Sequence, residues 1–322
     1  MEQQRPLLYL MLGFIAFMIW STWDQRNYVP PVRAPQTTAG APNIPGSPAN
    51  GTGPADVPQT AGLPAAASAQ AITAPGVAGK SIRVKTDVLD LQISLTGGTI
   101  YQADLLTYPI SLDEPDVPVR VLDPAKTYAA QSGLVHSSGS PDDAPNHYAE
   151  FTTTQTEFNL GDSDTLEVPL TWTGKDGLSV FKTFTFTRGK FLIDLKQTVN
   201  NASPAPWTGS EYHQLTHGTP EDTGMGLTSV SYVGGAYHDD KYVKVDFGDI
   251  QDENLQKSIK GGWTAMLEHY FISAWIPQPE ATNNFYTKFL PNRSNHILGV
   301  SSPLLTVEAG KANSFKSQFY VG

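Results

Sequence analysis

Glu211, His213 and His217 lie within nine residues, Ser210–Gly218 (SEYHQLTHG). A carboxylate and two imidazoles at this spacing are the residue types that hold a metal ion or pass a proton. On a helix, His at i and i+4 share a face and reach one ion; on a strand they share a face about 13 Å apart. The segment follows Pro204 and Pro206 in strand-like surroundings, which predicts polar strand residues and no metal. His136, His147, His238, His269 and His296 sit in no acid–base motif, and the chain has no Cys, which excludes thiolate sites and disulfides. Gly97-Gly98, Gly234-Gly235 and Gly261-Gly262 lack the spacing of phosphate-binding loops and read as turns or bulges. Asp142-Asp143 and Asp239-Asp240 read as solvated turns. No catalytic residue, cofactor or metal is expected.

The elements that carry these residues are strands. Leu89, Leu91, Ile93 and Leu95 alternate with polar residues, as do Phe191, Ile193, Leu195 and Val199. Phe181–Thr187 and Val243, Val245 and Phe247 follow the same period of two, which places one face in a core. Many short strands between Gly, Asn, Asp and Pro predict a sandwich or barrel. Ile250–Ile259 reads as a short helix or helical turn stopped by Gly261-Gly262. Trp263–Pro277 fits two patterns: one helix face, or two buried strands hinged at Glu268-His269.

Of the 322 residues, 21 are Lys or Arg and 31 are Asp or Glu, a net charge of −10. That balance argues against nucleic acid, whose binders need a basic footprint. Three segments share the length. Residues 1–26 contain the uncharged run Leu7–Trp23, in which Leu7, Leu8, Leu10, Leu12, Phe14, Ile15, Phe17 and Ile19 lead to Trp20 and Trp23. As a helix the run would span about 26 Å, and Trp20 and Trp23 suit a membrane interface, which predicts an uncleaved signal-anchor in the lipid bilayer. Residues 27–78 hold 13 Ala, 10 Pro and 6 Gly, with only Arg33 and Asp56 charged. Such a tract cannot bury enough apolar surface to offset its ordering entropy and reads as a flexible linker. Residues 79–322 carry 18 basic and 28 acidic residues, so the whole −10 belongs there.

Several blocks carry a family resemblance. MEQQRPLLYLMLGFIAFMIWSTWDQ resembles the first membrane helix of the bacterial membrane protein insertase YidC family of Gram-negative type. IRVKTDVLDLQISLTGG, QSGL at Gln131–Leu134, FKTFTFTRG, GGWTAMLEHYFISAWIP and NNFYT at Asn283–Thr287 resemble its periplasmic domain, in order. The resemblance implies a mainly β fold for 79–322, a β-supersandwich similar to galactose-mutarotase-like folds, with some helix towards its C-terminal end. It also favours strand–turn–strand for Trp263–Ile276. The implied function is an inner-membrane anchor and periplasmic docking or scaffold domain that helps insert and fold inner-membrane proteins. The implied partners are the Sec translocon and the SecD–SecF–YajC complex. The family continues past the position of Gly322 into five more membrane helices with an arginine-bearing groove that receives nascent inner-membrane proteins. The chain therefore reads as a fragment whose insertase core is elsewhere. Gly261, Gly262, Trp263, Tyr270, Phe271, Trp275 and Pro277 form a candidate docking or structural segment. The alternative is a periplasmic carbohydrate-binding or mutarotase-like protein.

Overall fold

The computed structural model describes residues 56–58, 80–138, 140, 143–220 and 232–322. The expected anchor Leu7–Trp23 and most of the tract 27–78 lie outside the described residues.

Period-two patterning becomes strands throughout. In chain order they are β1 Ser81–Lys85, β2 Leu89–Ser94, β3 Ile100–Ser111, β4 Glu114–Leu122, β5 Ala129–His136, β6 Glu157–Asn159 and β7 Thr165–Thr173. There follow β8 Leu178–Thr187, β9 Leu192–Asn201, β10 Trp207–Gly218, β11 Val233–Asp239, β12 Lys241–Val245 and β13 Gln256–Lys260. The last six are β14 Thr264–Glu268, β15 Phe271–Ile276, β16 Thr282–Leu290, β17 Asn295–Ser301, β18 Leu305–Val307 and β19 Lys311–Val321. They build two sheets. The first runs β13-β16-β17-β10-β5-β3-β2-β1-β6, with β18 beside β10 and β4 beside β3; the second runs β12-β11-β14-β15-β19-β9-β8-β7. Leu89, Leu91 and Ile93 from the first sheet and Phe184, Leu195 and Phe319 from the second share one core, so the sheets face each other as a sandwich. The expected mainly β architecture is what forms.

The segment with two readings forms a hairpin. In β14 and β15, Glu268 pairs with Phe271, and His269 takes φ +53 in the tight turn between them. The two strands are flanked by β11 and β19, so sheet neighbours satisfy their backbone groups on both sides. A helix there would have left both neighbours with open edges.

Four expectations are corrected. The helix expected over Ile250–Ile259 is α1, Phe247–Asp252, the one α-helix among the described residues. It ends at extended Glu253, and Gln256–Lys260 pairs with β16, burying Ile259 from a strand. Phe247 opens that helix instead of prolonging β12. Gly234-Gly235 is no turn: both residues lie inside β11, where a Cβ on Gly235 would stand 2.3 Å from Leu298 Cδ2. Glycine is needed there for contact between the sheets. Towards the C-terminal end the chain is strand, with β19 laddered to β9 and β15, and not helix. Gly97-Gly98 and Gly261-Gly262 are turns with positive φ, as expected.

Candidate functional site

β10 carries all three residues of the SEYHQLTHG constellation and runs between β5 and β17 near the middle of the first sheet. Both of its faces are covered, so the alternation sorts its side chains between two buried environments. Glu211, His213, Leu215 and His217 face the second sheet, where Gln197, Trp275 and Glu268 meet them. Tyr212 and Gln214 face the opposite way.

The strand geometry divides the constellation. Glu211 Oε1 lies 3.2 Å from His213 Nε2, and Gln197 donates to Glu211 Oε2 at 3.0 Å. The His213 ring stacks on Trp275 with centroids 4.6 Å apart. His217 instead pairs with Glu268 at 2.9 Å, and Glu268 also takes Lys126 at 2.9 Å. Burial works to raise the Glu268 carboxyl, but the contacts from His217 and Lys126 outweigh it and hold the group below its ordinary range. The two imidazoles therefore serve separate carboxylates. Among the described residues no three metal-ligating side chains converge.

A cavity of about 200 Å³ opens beside the first pair, between Glu211, His213, Asn283, Ser302, Leu304 and Phe315. Ser302 holds its polar end in place, accepting from the Glu211 N–H at 3.0 Å while its own N–H donates to the Glu211 carbonyl at 2.8 Å. Glu211 and His213 face each other along one strand. They do not flank the cavity as an acid and a base would flank a substrate. The arrangement can bind a small polar group against apolar walls.

Behind Glu211 lies a group that pattern reading passed over. Lys182 belongs to the inward row of β8 with Val180, Phe184 and Phe186, and is fully buried. Its Nζ donates to the Gly97 carbonyl at 2.6 Å and to the Ser132 carbonyl at 2.8 Å, tying the second sheet to the first. Burial lowers the amine to about 7, with Glu211 pulling the other way. The only sequence signal was that Lys182 falls in phase with Phe184 and Phe186.

The segment Gly261–Pro277 is mixed in character. Trp275 is 1 % exposed and fills core, and Pro277 lines the cavity. Gly261 and Gly262 form the turn, and Trp263 packs on His238 and Tyr242 at half-buried positions. Tyr270, at the hairpin tip, is 94 % exposed. Phe271 stands edge-on to Tyr108, which also touches Phe191.

The protein is a two-sheet β-sandwich whose buried His–carboxylate pairs are divided between separate partners. Residues 81–322 match the family described as the YidC periplasmic domain, and the chain belongs to that family. The membrane protein insertase YidC of Thioalkalivibrio sulfidiphilus is 42% identical over 333 residues, and that of Methylococcus capsulatus 37% over 328. Each alignment covers all of this chain and 58% of the relative, so the chain spans little more than half the length of the curated relatives it matches. Among solved structures, a galactose mutarotase-like protein from Lactobacillus casei is similar at 9% identity and a TM-score of 0.49, covering 75% of this chain and all of that one. A galactose mutarotase related enzyme from Lactobacillus acidophilus is similar at 10% identity and a TM-score of 0.48, covering 75% and 97%.

Proposed function

We propose that the chain is the membrane anchor and periplasmic docking domain of a YidC-type insertase, acting with or beside the Sec translocon. The observation that carries this reading is the family match over 81–322, together with relatives named membrane protein insertases along the whole chain. In this reading Leu7–Trp23 spans the inner membrane, residues 27–78 tether the domain, and 79–322 lies in the periplasm. The insertase core and its nascent substrates belong to the portion of the relatives that this chain does not span. The SecD–SecF–YajC complex is the proposed partner of the domain.

The surface best suited to such a partner is the apolar one around the β3–β4 and β14–β15 hairpins. Tyr108, Ile110, Leu112, Val117 and Tyr270 are exposed there, with Leu112 at 96 %. Contiguous exposed apolar side chains rimmed by charge mark protein contact surfaces. Asp113, Glu114 and Asp116 supply an acidic rim, which favours a partner with a basic one. A photo-crosslinker placed at Tyr270 in the full chain, expressed in Gram-negative cells, tests the reading. Adducts with SecD or SecF in the carbonate-resistant membrane fraction are expected. A soluble chain of reduced mass in the periplasm would overturn the anchor, and crosslinks confined to unrelated proteins would overturn the partner.

A further inference from the structure

The structure assigns a second site to the outer face of the first sheet: a carboxylate-binding site whose occupant is Asp56 of the chain's own Pro/Ala/Gly-rich tract. Asp56 is only 6 % exposed, although the composition around it predicts no docking at all. Its Oδ2 accepts a hydrogen bond from the Tyr148 hydroxyl and lies 3.5 Å from both His147 Nε2 and Arg293 Nη1.

The receiving groups are held by the domain itself. The Tyr212 hydroxyl accepts from the His147 backbone N–H at 3.0 Å and meets His147 Nδ1 at 2.6 Å. With Nδ1 accepting the Tyr212 hydroxyl proton, the ring hydrogen sits on Nε2, the tautomer that faces Asp56 with a donor. His147 is fully buried, and Nε2 has no hydrogen-bond partner of good geometry, so an acceptor is needed there. Arg293 is presented by the turn Pro291–Arg293, closed by Ser294 at φ +50. Beneath lies a polar floor in which the Tyr286 hydroxyl donates to Gln214 and Gln214 to Gln131, each at 2.8 Å. A site built from Arg, His and Tyr donors takes a carboxylate. Its ligand class is a peptide offering Asp in a turned, proline-containing segment, as Asp56-Val57-Pro58 does.

Pinning at Asp56 closes residues 59–79 into a loop and shortens the tether. Resting on the proposed anchor, 32 residues (24–55) then separate Trp23 from the domain, where 56 (24–79) would separate them otherwise. The coil-like reach falls from about 40 Å to about 30 Å.

The absence of Cys allows a pair of spin labels at Gly53→Cys and Asn292→Cys in the full chain, with the distance distribution read by pulsed electron resonance. A narrow distribution below about 30 Å is expected, given two residues, Pro54 and Ala55, between label and anchor point. It should broaden in Asp56→Asn, a change outside the folded sandwich. A broad distribution in the parent, or a narrow one that survives Asp56→Asn, would overturn the proposal. In Asp56→Asn, added acetyl-Gly-Pro-Ala-Asp-Val-Pro-amide should shift the amide resonances of His147 and Tyr148 while its Asn counterpart does not; equal shifts, or none, would overturn the carboxylate specificity. Neither readout depends on the membrane anchor.

Discussion

The Lys182 ammonium donates to the Gly97 carbonyl at 2.6 Å across the interior of the sandwich. One end of this contact is a charge that burial disfavours, and the other is a backbone acceptor in a tight turn that water does not reach. With the Ser132 carbonyl as a second acceptor, the lysine acts as a cross-brace between sheets whose cost is electrostatic.

That cost has a sign in pH. The amine sits near 7 in the folded chain against 10.5 when unfolded, so between those values the unfolded chain holds the extra proton. Folding stability is therefore expected to rise from pH 7 towards pH 10, by a few kcal/mol at most. Urea unfolding of the parent and of Lys182→Met across that range checks it. The rise should be absent in the variant, and parallel curves would refute the assignment.

Asp56 gives a dependence of the same sign in a lower pH window. Burial works to raise its carboxyl, but His147 and Tyr148 outweigh this and bring it to about 2, against 3.8 in an unfolded chain. Docking is fully supported above pH 4 and is lost as pH falls through 2, a contribution on the order of 2 kcal/mol. Titration of the Asp56 carboxyl carbon by NMR should give a midpoint well under 3. A midpoint near 3.8 would show an undocked side chain.

Trp275 and Tyr270 are five residues apart in one hairpin and should behave differently. Trp275 stacks on His213 and packs at a tilt against Phe319, and its indole N–H donates to the Gln214 carbonyl at 3.2 Å. Trp275→Ala is expected to cost about 3–5 kcal/mol by chemical denaturation. Tyr270→Ser should change stability by less than about 0.5 kcal/mol while weakening the proposed partner contact.

Two glycines with the same backbone conformation separate strain from crowding. Gly97 and Gly189 have φ +73 and +71. A Cβ at Gly189 meets nothing within 4 Å, whereas at Gly97 it would stand 2.3 Å from the His147 carbonyl oxygen. Gly189→Ala should cost about 1 kcal/mol, the left-handed penalty alone. Gly97→Ala adds overpacking against backbone, for a total of about 2–5 kcal/mol. Melting temperatures of the two variants decide it, and equal losses would contradict the crowding argument.

Local patterning was enough for the strands of the core. Leu89, Leu91 and Ile93 bury one face because period-two alternation has a single solution once a core exists. The ordered family blocks likewise needed no coordinates. Trp263–Ile276 shows where this stops: its spacing suits a helix or a hairpin, and the choice falls to β11 and β19, which lie 20 to 50 residues away in sequence and supply the ladders. Gly235 likewise reads as a turn until Leu298 closes on it.

The SEYHQLTHG constellation was legible as residue types, but its meaning was not. Strand spacing separated His213 from His217, as expected, while their carboxylate partners differ in kind. Glu211 comes from the same strand, and Glu268 comes from the other sheet. Composition predicts a flexible tract over residues 27–78, with too little apolar surface to offset its ordering entropy. Whether any of them would be held was decided only in three dimensions, where Tyr148 and Arg293, 145 positions apart in sequence, converge on one carboxylate. Long-range electrostatic complementarity has no period, so no sequence pattern announces it.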